Sequence, residues 1–442
     1  MKAHGFDHWG LADVDLARAE AGLLQWLTAG FHGDMDYMAR NPEMRVRPAA
    51  LFPGARSALM VAASYRPEDP DCLARRWRQL ERRREAAVSI YALGRDYHRL
   101  VRGRLQRLGE DMRAWFLAHP DLAPSVDAPS GDTVWAGPSP AQLPDAGRDT
   151  NAGRETNAGQ DTDAERHPEA ALHCEAQAFR FRAYCDSAPL LEVELARKAL
   201  LGWRGKNTLL LHRDRGSLFF LGTLLSNLCP VQWSSPQAEL PVHAAETGEH
   251  CGSCQACLQV CPTQAIVAPY RLDARRCIAY LTIEHHGPIP EEFRAPIGNR
   301  IYGCDDCQLI CPWNKFAVSL KFPGLRARPG LVSLDLIEAI SWDEEAFLRQ
   351  TEGSPIRRIG YRRWLRNVAV ALGNLLDTGA APHRIPSAEM SAEDSSADTV
   401  YAGRALQVLE ARRKNADPMV VEHIDWALRR LEAGIREARK RS

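Results

Sequence analysis

The chain has no excess of charge, no long apolar run and no export signal. Its 56 Lys and Arg balance 56 Asp and Glu over 442 residues, so no global field draws it to nucleic acid or to a membrane surface. A polyanionic partner must then be recognised by local patches. No segment offers about eighteen uninterrupted apolar residues, which excludes a membrane span of the hydropathic kind. Residues 1–10 hold neither an apolar core nor a twin arginine, so the expected setting is the cytoplasm, with no membrane partner. What the chain does have is length for two or three domains, with 45% hydrophobic residues to build their cores.

It also has cysteine in a pattern. One run reads Cys251-x2-Cys254-x2-Cys257-x3-Cys261-Pro262, a second Cys304-x2-Cys307-x3-Cys311-Pro312, and Cys277 stands between them. The first run is the bacterial-ferredoxin spacing for a [4Fe–4S] cluster, in which the cysteine before proline ligates the other cluster. The second run lacks its leading cysteine, and Cys277 is the natural substitute. Crossing the fourth ligands gives one cluster on Cys251, Cys254, Cys257 and Cys311, and the other on Cys261, Cys277, Cys304 and Cys307. Short gaps let backbone N–H groups curl around a cubane and donate to its sulfurs. Structural zinc is the competing reading of paired Cys-x2-Cys units, but zinc ribbons separate two pairs by a long gap. A disulfide framework does not suit a long chain without a secretory signal. Cys72, Cys174, Cys185 and Cys229 fit no motif and read as buried or incidental thiols.

Composition divides the chain. Residues 1–240 read as a mixed α/β region, with strand-like runs at 58–63 and 209–212 and a helical pattern over 97–117. An insertion at about 121–171 carries a degenerate hexad repeat (GRDTNA, GRETNA, GQDTDA over 147–164). It is too polar to offset ordering entropy, and disorder is expected there. Residues 241–320 form a ferredoxin-like module. Residues 321–442 become helical, over 361–376, 403–414 and 419–439, with a polar insertion at about 379–398. Paired helices of this kind suggest a short HEAT-like solenoid or an ordinary helical cap.

Five segments resemble epoxyqueuosine reductases: YALGRDYH (91–98), DSAP (186–189), GWRGKN (202–207), PYRLDARRCIAYLTIE (269–284) and IGNRIYGCDDCQLICPWN (297–314). The likeness covers most of 51–117 and 179–375. The resemblance implies reduction of the epoxide of epoxyqueuosine, at the tRNA wobble position, to the alkene of queuosine. It also implies cobalamin beside the two clusters, in an α+β multidomain chain whose first domain is similar to the cobalamin domain of reductive dehalogenases. An external electron donor and a monomeric state go with it. Asp186 matches the family's proton donor. An epoxide oxygen leaves readily only if protonated, and burial near Phe179, Phe181, Ala188 and Pro189 is expected to raise the Asp186 pKa. Helix N-cap is the competing role for Asp186. Asp96, Tyr97, His98, Lys206 and Asn207 resemble residues lining the cofactor and substrate pocket. Thr282, Glu284 and Arg300 flank cluster ligands where the module would face the corrin. Thr223 stands where the resemblance calls for glutamate.

For tRNA, Arg357, Arg358, Arg362, Arg363 and Arg366, interleaved with Tyr361 and Trp364, offer phosphate contacts and base stacking. Arginines at 75–84 and near the C-terminus form two further groups. Intramolecular pairing with glutamate is the competing use of such residues. Two other functions fit parts of the pattern: a reductive dehalogenase acting on a small molecule, and a plain ferredoxin-type electron carrier.

Overall fold

The computed structural model describes residues 1–6, 8–119, 179–228, 250–376 and 392–441. The repetitive insertion and most of the second polar one fall outside these residues. The end of the second is helical from Ala392, where a polar insertion was expected.

The N-terminal half is built on a four-stranded sheet of β1 (His8–Asp13), β2 (Ser57–Ser64), β3 (Phe181–Tyr184) and β4 (Phe219–Ser226), in the order β1-β2-β4-β3. All pairings are antiparallel. Strand β2 lies inside the sheet with seven consecutive buried residues, so both its faces need cover. Its residues alternate between two cores, as a two-residue period requires. Leu59, Val61 and Ala63 join Tyr97, Val101 and Leu105 on one side. Ala58, Met60 and Ala62 join Leu23, Leu195 and Ala196 on the other. The second layer uses helices α1 (Ala17–Thr28) and α3 (Glu192–Lys198), the first α2 (Tyr97–Ala118).

Two glycines bring α2 unusually close to the sheet. A Cβ at Gly222 of β4 would stand 2.7 Å from Leu105 and 2.8 Å from Val101, and one at Gly109 of α2 would stand 2.2 Å from the Phe181 ring. The close approach presses the N-terminus of α2 against the turn that follows β3, and so sets Tyr97 and His98 beside Asp186.

The cysteine-bearing segment contains a small hairpin (Ile266–Ala268 with Arg271–Leu272), helix α4 (Ile278–Ile283) and the short strand Arg300–Tyr302. Strand Arg300–Tyr302 pairs in parallel with Ala87–Val88 of the N-terminal half. A third core joins Ile278, Leu281 and Ile301 to residues of α5 (Gly360–Gly373), α6 (Ala392–Arg413) and α7 (Pro418–Arg441). Helix α5 is the bolt. The Arg366 guanidinium is fully buried and donates to the carbonyls of Leu281 (2.7 Å), His285 (2.8 Å) and Gly287 (2.6 Å). Asn367 donates to Thr282 and Ile301 at 2.8 and 2.9 Å. Carbonyls at and beyond the end of α4 would otherwise lack donors.

Candidate active site

Asp96 starts α2. It accepts the His98 N–H at 3.0 Å, an N-cap bond, and its Oδ1 also lies 2.7 Å from His98 Nδ1. The other ring nitrogen of His98 is 3.3 Å from Asp186 Oδ2, which also accepts the Tyr97 hydroxyl. The imidazole is therefore clamped between two carboxylates at the positive end of a 22-residue helix. Tyr97 is fixed in turn by stacking on Phe220, with ring centroids 3.9 Å apart and planes 3° apart.

Asp186 sits in the left-handed region, φ 60°. Its side chain keeps 55% of its surface accessible, so the carboxylate faces an open recess beside Tyr97 and His98. Burial works to raise its pKa, but hydrogen bonds from His98 and Tyr97, with the charges of His98 and Arg358, outweigh it. The net shift is downward, opposite to the expected rise. The apolar neighbours in sequence lie elsewhere: Phe179 and Phe181 belong to the α2 core, and what faces the carboxylate is polar. The proton resides on His98 instead. Burial disfavours its charge, yet the bonds to Asp186 and Asp96 raise it from 6.5 to about 9. The N-cap role proposed for Asp186 also fails, because the following helix starts at Glu192 with Leu191 at its cap and no side-chain capping bond.

Glu192 is the residue the sequence reading missed. Its two carboxyl oxygens lie 3.2 and 3.0 Å from the Asp186 amide nitrogen, and Thr223 donates to it at 3.4 Å. Burial and then the Asp186 charge push it up to about 8, so at neutral pH it is an uncharged acid. The only signal in the sequence was a second acid one short turn after DSAP, beside an unexpected Thr223.

The recess rim carries Arg358, which donates to Glu284 Oε1 at 2.5 Å. Burial opposes the Arg358 charge, and Glu284 more than restores it. Tyr37, 47% exposed, lies within the fields of Glu284, Arg358 and Asp186. Behind Tyr97, Tyr91 touches both Tyr97 and Tyr302 edge-on or tilted, at 6.0 and 6.2 Å between centroids. Tyr302 in turn precedes Cys304 by two residues. This chain of rings connects the recess to the cysteines.

Cys251, Cys254, Cys257 and Cys311 line one cavity of about 240 Å³. Cys254 is exposed. The other four are partly covered and grouped together: Cys277 and Cys307 both feel Cys261, and Cys304 feels Cys277. Backbone N–H groups point at several sulfurs, with Ala279 and Tyr280 at Cys277 and Ala265 at Cys261 (3.2 Å). Burial first of all raises these free thiols, so their deprotonation would accompany iron binding. Among the described residues no group of three or more His, Cys, Asp or Glu is arranged to hold a single metal ion. The Thr282 hydroxyl accepts the Gly303 amide (2.9 Å), and Arg300 forms a buried pair with Asp306 (2.6 Å), whose other oxygen lies 3.3 Å from Cys304 Sγ. Thr282 and Arg300 thus line the second group.

Several predicted contacts do not converge. Lys206 donates to the carbonyls of Gly252 (2.6 Å) and Cys254 (2.8 Å), and buried Asn207 donates to Cys307 at 3.4 Å. Both serve the cysteine loops and stand apart from the Asp186 recess. Of the five arginines read for tRNA, Arg366 is buried, and Arg363 donates to Ile359 and Ile283 at 2.7 Å each. Arg362 pairs with Asp417 at 2.8 Å, Arg358 faces the recess, and Arg357 stays exposed. Trp364 is buried and stacked on Trp342, centroids 5.1 Å apart, and cannot stack on a base. Arg76 is likewise buried on Asp305 (3.1 Å). Cys72 and Cys185 are buried thiols, while Cys174 and Cys229 lie outside the described residues.

Two family models match the chain: a 4Fe-4S double cluster binding domain over residues 250–314, and epoxyqueuosine reductase QueG, DUF1730, over residues 45–128. Epoxyqueuosine reductase of Alicycliphilus denitrificans is 44% identical over 428 residues, spanning 96% of this chain and 94% of its own. The chain belongs to the epoxyqueuosine reductase family. A crystal structure of epoxyqueuosine reductase with an epoxyqueuosine-modified tRNA stem loop shares the fold, with a TM-score of 0.63 at 22% identity over 98% of this chain and 96% of that one. A Bacillus subtilis epoxyqueuosine reductase, with its catalytic aspartate loop swung out of the active site, matches with a TM-score of 0.61 at 22% identity over 98% and 96% of the two chains. As in this family of oxidoreductases, two [4Fe–4S] clusters belong to the chain, and the cysteine spacing has its explanation. Among the described residues no helix is long and apolar enough to cross a membrane.

Proposed function

We propose that this chain reduces epoxyqueuosine in tRNA to queuosine at the Asp186 recess, using two [4Fe–4S] clusters and cobalamin. One observation carries the reading: a solvent-reached carboxylate backed by a protonated His98 and a second carboxylate, Asp96, connected through aromatic rings to eight grouped cysteines. The reaction takes two electrons and two protons, and releases the epoxide oxygen as water as the alkene forms. Cys251, Cys254, Cys257 and Cys311 would hold an outer cluster and Cys261, Cys277, Cys304 and Cys307 an inner one, which together would supply a one-electron relay from an external donor, with the outer cluster as its entry point.

The recess fits a corrin chemically. The Tyr97 and Tyr91 rings form its apolar backing, while Arg358, Glu284 and Tyr37 at its rim supply partners for amide side chains. When bound, cobalamin supplies a strongly reducing, nucleophilic cobalt for the epoxide. The residues of this chain handle the proton. Asp186 faces the leaving oxygen, and His98 returns to Asp186 each proton it delivers. Asp96 keeps the imidazole oriented and charged. Glu192, neutral at working pH, holds the Asp186 amide and with it the left-handed backbone of the turn. Mobility of the equivalent loop in the Bacillus subtilis relative makes such a tether useful.

The same reading assigns residues 1–240 to a cobalamin domain similar to that of reductive dehalogenases, 241–320 to the ferredoxin-like module and 321–442 to a HEAT-like region. It makes the protein a cytoplasmic monomer. Arg357, exposed just before α5, is the best placed of the predicted arginines for a tRNA phosphate. The test is anaerobic reconstitution with iron, sulfide and cobalamin, followed by incubation with reductant and epoxyqueuosine-containing tRNA. Mass analysis of the nucleosides should show loss of one oxygen atom, and unchanged epoxyqueuosine with all cofactors loaded would reject the reading.

A further inference from the structure

The outer cysteine group opens onto a surface of its own character. Its cavity is lined by Trp313, Lys315, Phe316, Lys206 and His250, with the His250 ring 6.2 Å from that of Trp313. Phe316 is 44% exposed, and the Lys315 ammonium stands 4.7 Å over its ring. Trp313 is held edge-on against Trp203 at 5.1 Å, so the aromatic patch is rigid. The turn 212–216 lies against this strip, since a Cβ at Gly216 would meet Asn314 Oδ1 at 2.2 Å and Ala317 Cβ at 3.2 Å. That turn presents exposed Arg213 beside exposed Asp214, with Arg215 partly covered. Lys206 and Lys315 line the cavity, and the neighbouring turn adds Arg213 and Arg215 against Asp214, on a chain that has no net charge. Cys254, the exposed ligand-type thiol, lines the same cavity as Lys206 and Lys315.

We propose that this face is the docking surface for a small acidic one-electron carrier protein, of the flavodoxin or ferredoxin kind. The proposal rests on the reading above that electrons enter at the outer cluster. Aromatic side chains with cations beside them suit a transient, electrostatically steered interface. The carrier's own redox group is surface-exposed and ringed by carboxylates, which complements the patch in charge, and each docking delivers one of the two electrons a turnover needs. A small inorganic reductant does not need the patch, so the two routes can be separated.

The experiment mixes anaerobically reconstituted protein with an acidic flavodoxin at its hydroquinone level and follows bleaching of the iron–sulfur absorption, without tRNA, over a range of salt. The dissociation constant of the oxidised flavodoxin is measured alongside. In the Lys315→Glu/Arg213→Glu variant the low-salt rate and the affinity should each fall by about tenfold or more, with a flattened salt slope. Reduction by dithionite should be unchanged. The milder Lys315→Met/Arg213→Met variant should fall between parent and charge reversal. Unchanged flavodoxin rate, affinity and salt slope in the charge-reversed protein would overturn the proposal. So would an equal loss of dithionite reduction, which would make these side chains part of the cluster cradle. Because no tRNA is present, absence of queuosine formation by the parent would reject the proposed function and leave this result standing on its own.

Discussion

At the scale of residues, the site inverts the simplest expectation for a proton-donating carboxylate. Asp186 is flanked by a hydroxyl and an imidazolium, so its pKa falls and the stored proton moves one bond back, to His98. The sign fixes the pH window. A histidine raised from 6.5 to about 9 contributes its ion pair fully below its ordinary value, and that contribution is lost as pH rises through about 9. Epoxide reduction should therefore hold through neutrality and fall on the alkaline side near 9, and His98→Gln should remove that limb while lowering the rate at every pH. A parent profile that breaks near 6.5 would refute the clamp. The three residues Asp96, Tyr97 and His98 were legible as a group in YALGRDYH, but their grip on Asp186, 89 positions from Tyr97, was not, because no local pattern encodes it. Cys277 was singled out by counting ligands, and the structure sets it within the field of Cys261. Its replacement by alanine should halve the iron per chain and leave the spectrum of the outer cluster, since the outer four cysteines share no member with the inner four. Full iron content in that variant would contradict the assignment.

At the scale of elements, the geometry of the site depends on how closely α2 lies on the sheet. Helix α2 was readable from its apolar spacing, and its observed span, Tyr97–Ala118, differs by one residue from the pattern. The closeness was not readable, because it comes from Gly222 and Gly109 facing side chains on other elements. Gly222→Val should cost about 1–3 kcal/mol by overpacking against Val101 and Leu105. By lifting the helix N-terminus it should also weaken the His98–Asp186 contact. Thermal melting together with the alkaline limb reads both effects; a variant that melts like the parent would show the contact to be slack. Helix α5 teaches the converse. Its helical pattern over 361–376 was readable, yet Arg366 was read as a phosphate contact and is buried. A long guanidinium with five donors can be buried where carbonyls need capping, and periodicity is blind to carbonyls contributed by distant segments.

At the scale of the molecule, the fold arranges a route: a cysteine group that opens through exposed Cys254, a second group next to Tyr302, a row of tyrosines, and a recess at Asp186. The two ends of that route were written in the sequence as motifs, while the route itself is tertiary. Strand Arg300–Tyr302 pairs with Ala87–Val88, which brings the cysteine segment against YALGRDYH across some 200 residues of chain. That pairing places Tyr302 beside Tyr91 and fixes the distance between cluster and recess. The most direct test compares the parent with Asp186→Ala, both carrying full iron and cobalamin, in conversion of epoxyqueuosine to queuosine in tRNA followed by nucleoside mass analysis. The parent should convert its substrate and the variant should retain both cofactors while losing turnover; near-normal conversion by Asp186→Ala would contradict the assignment of the recess as the place where the epoxide is opened.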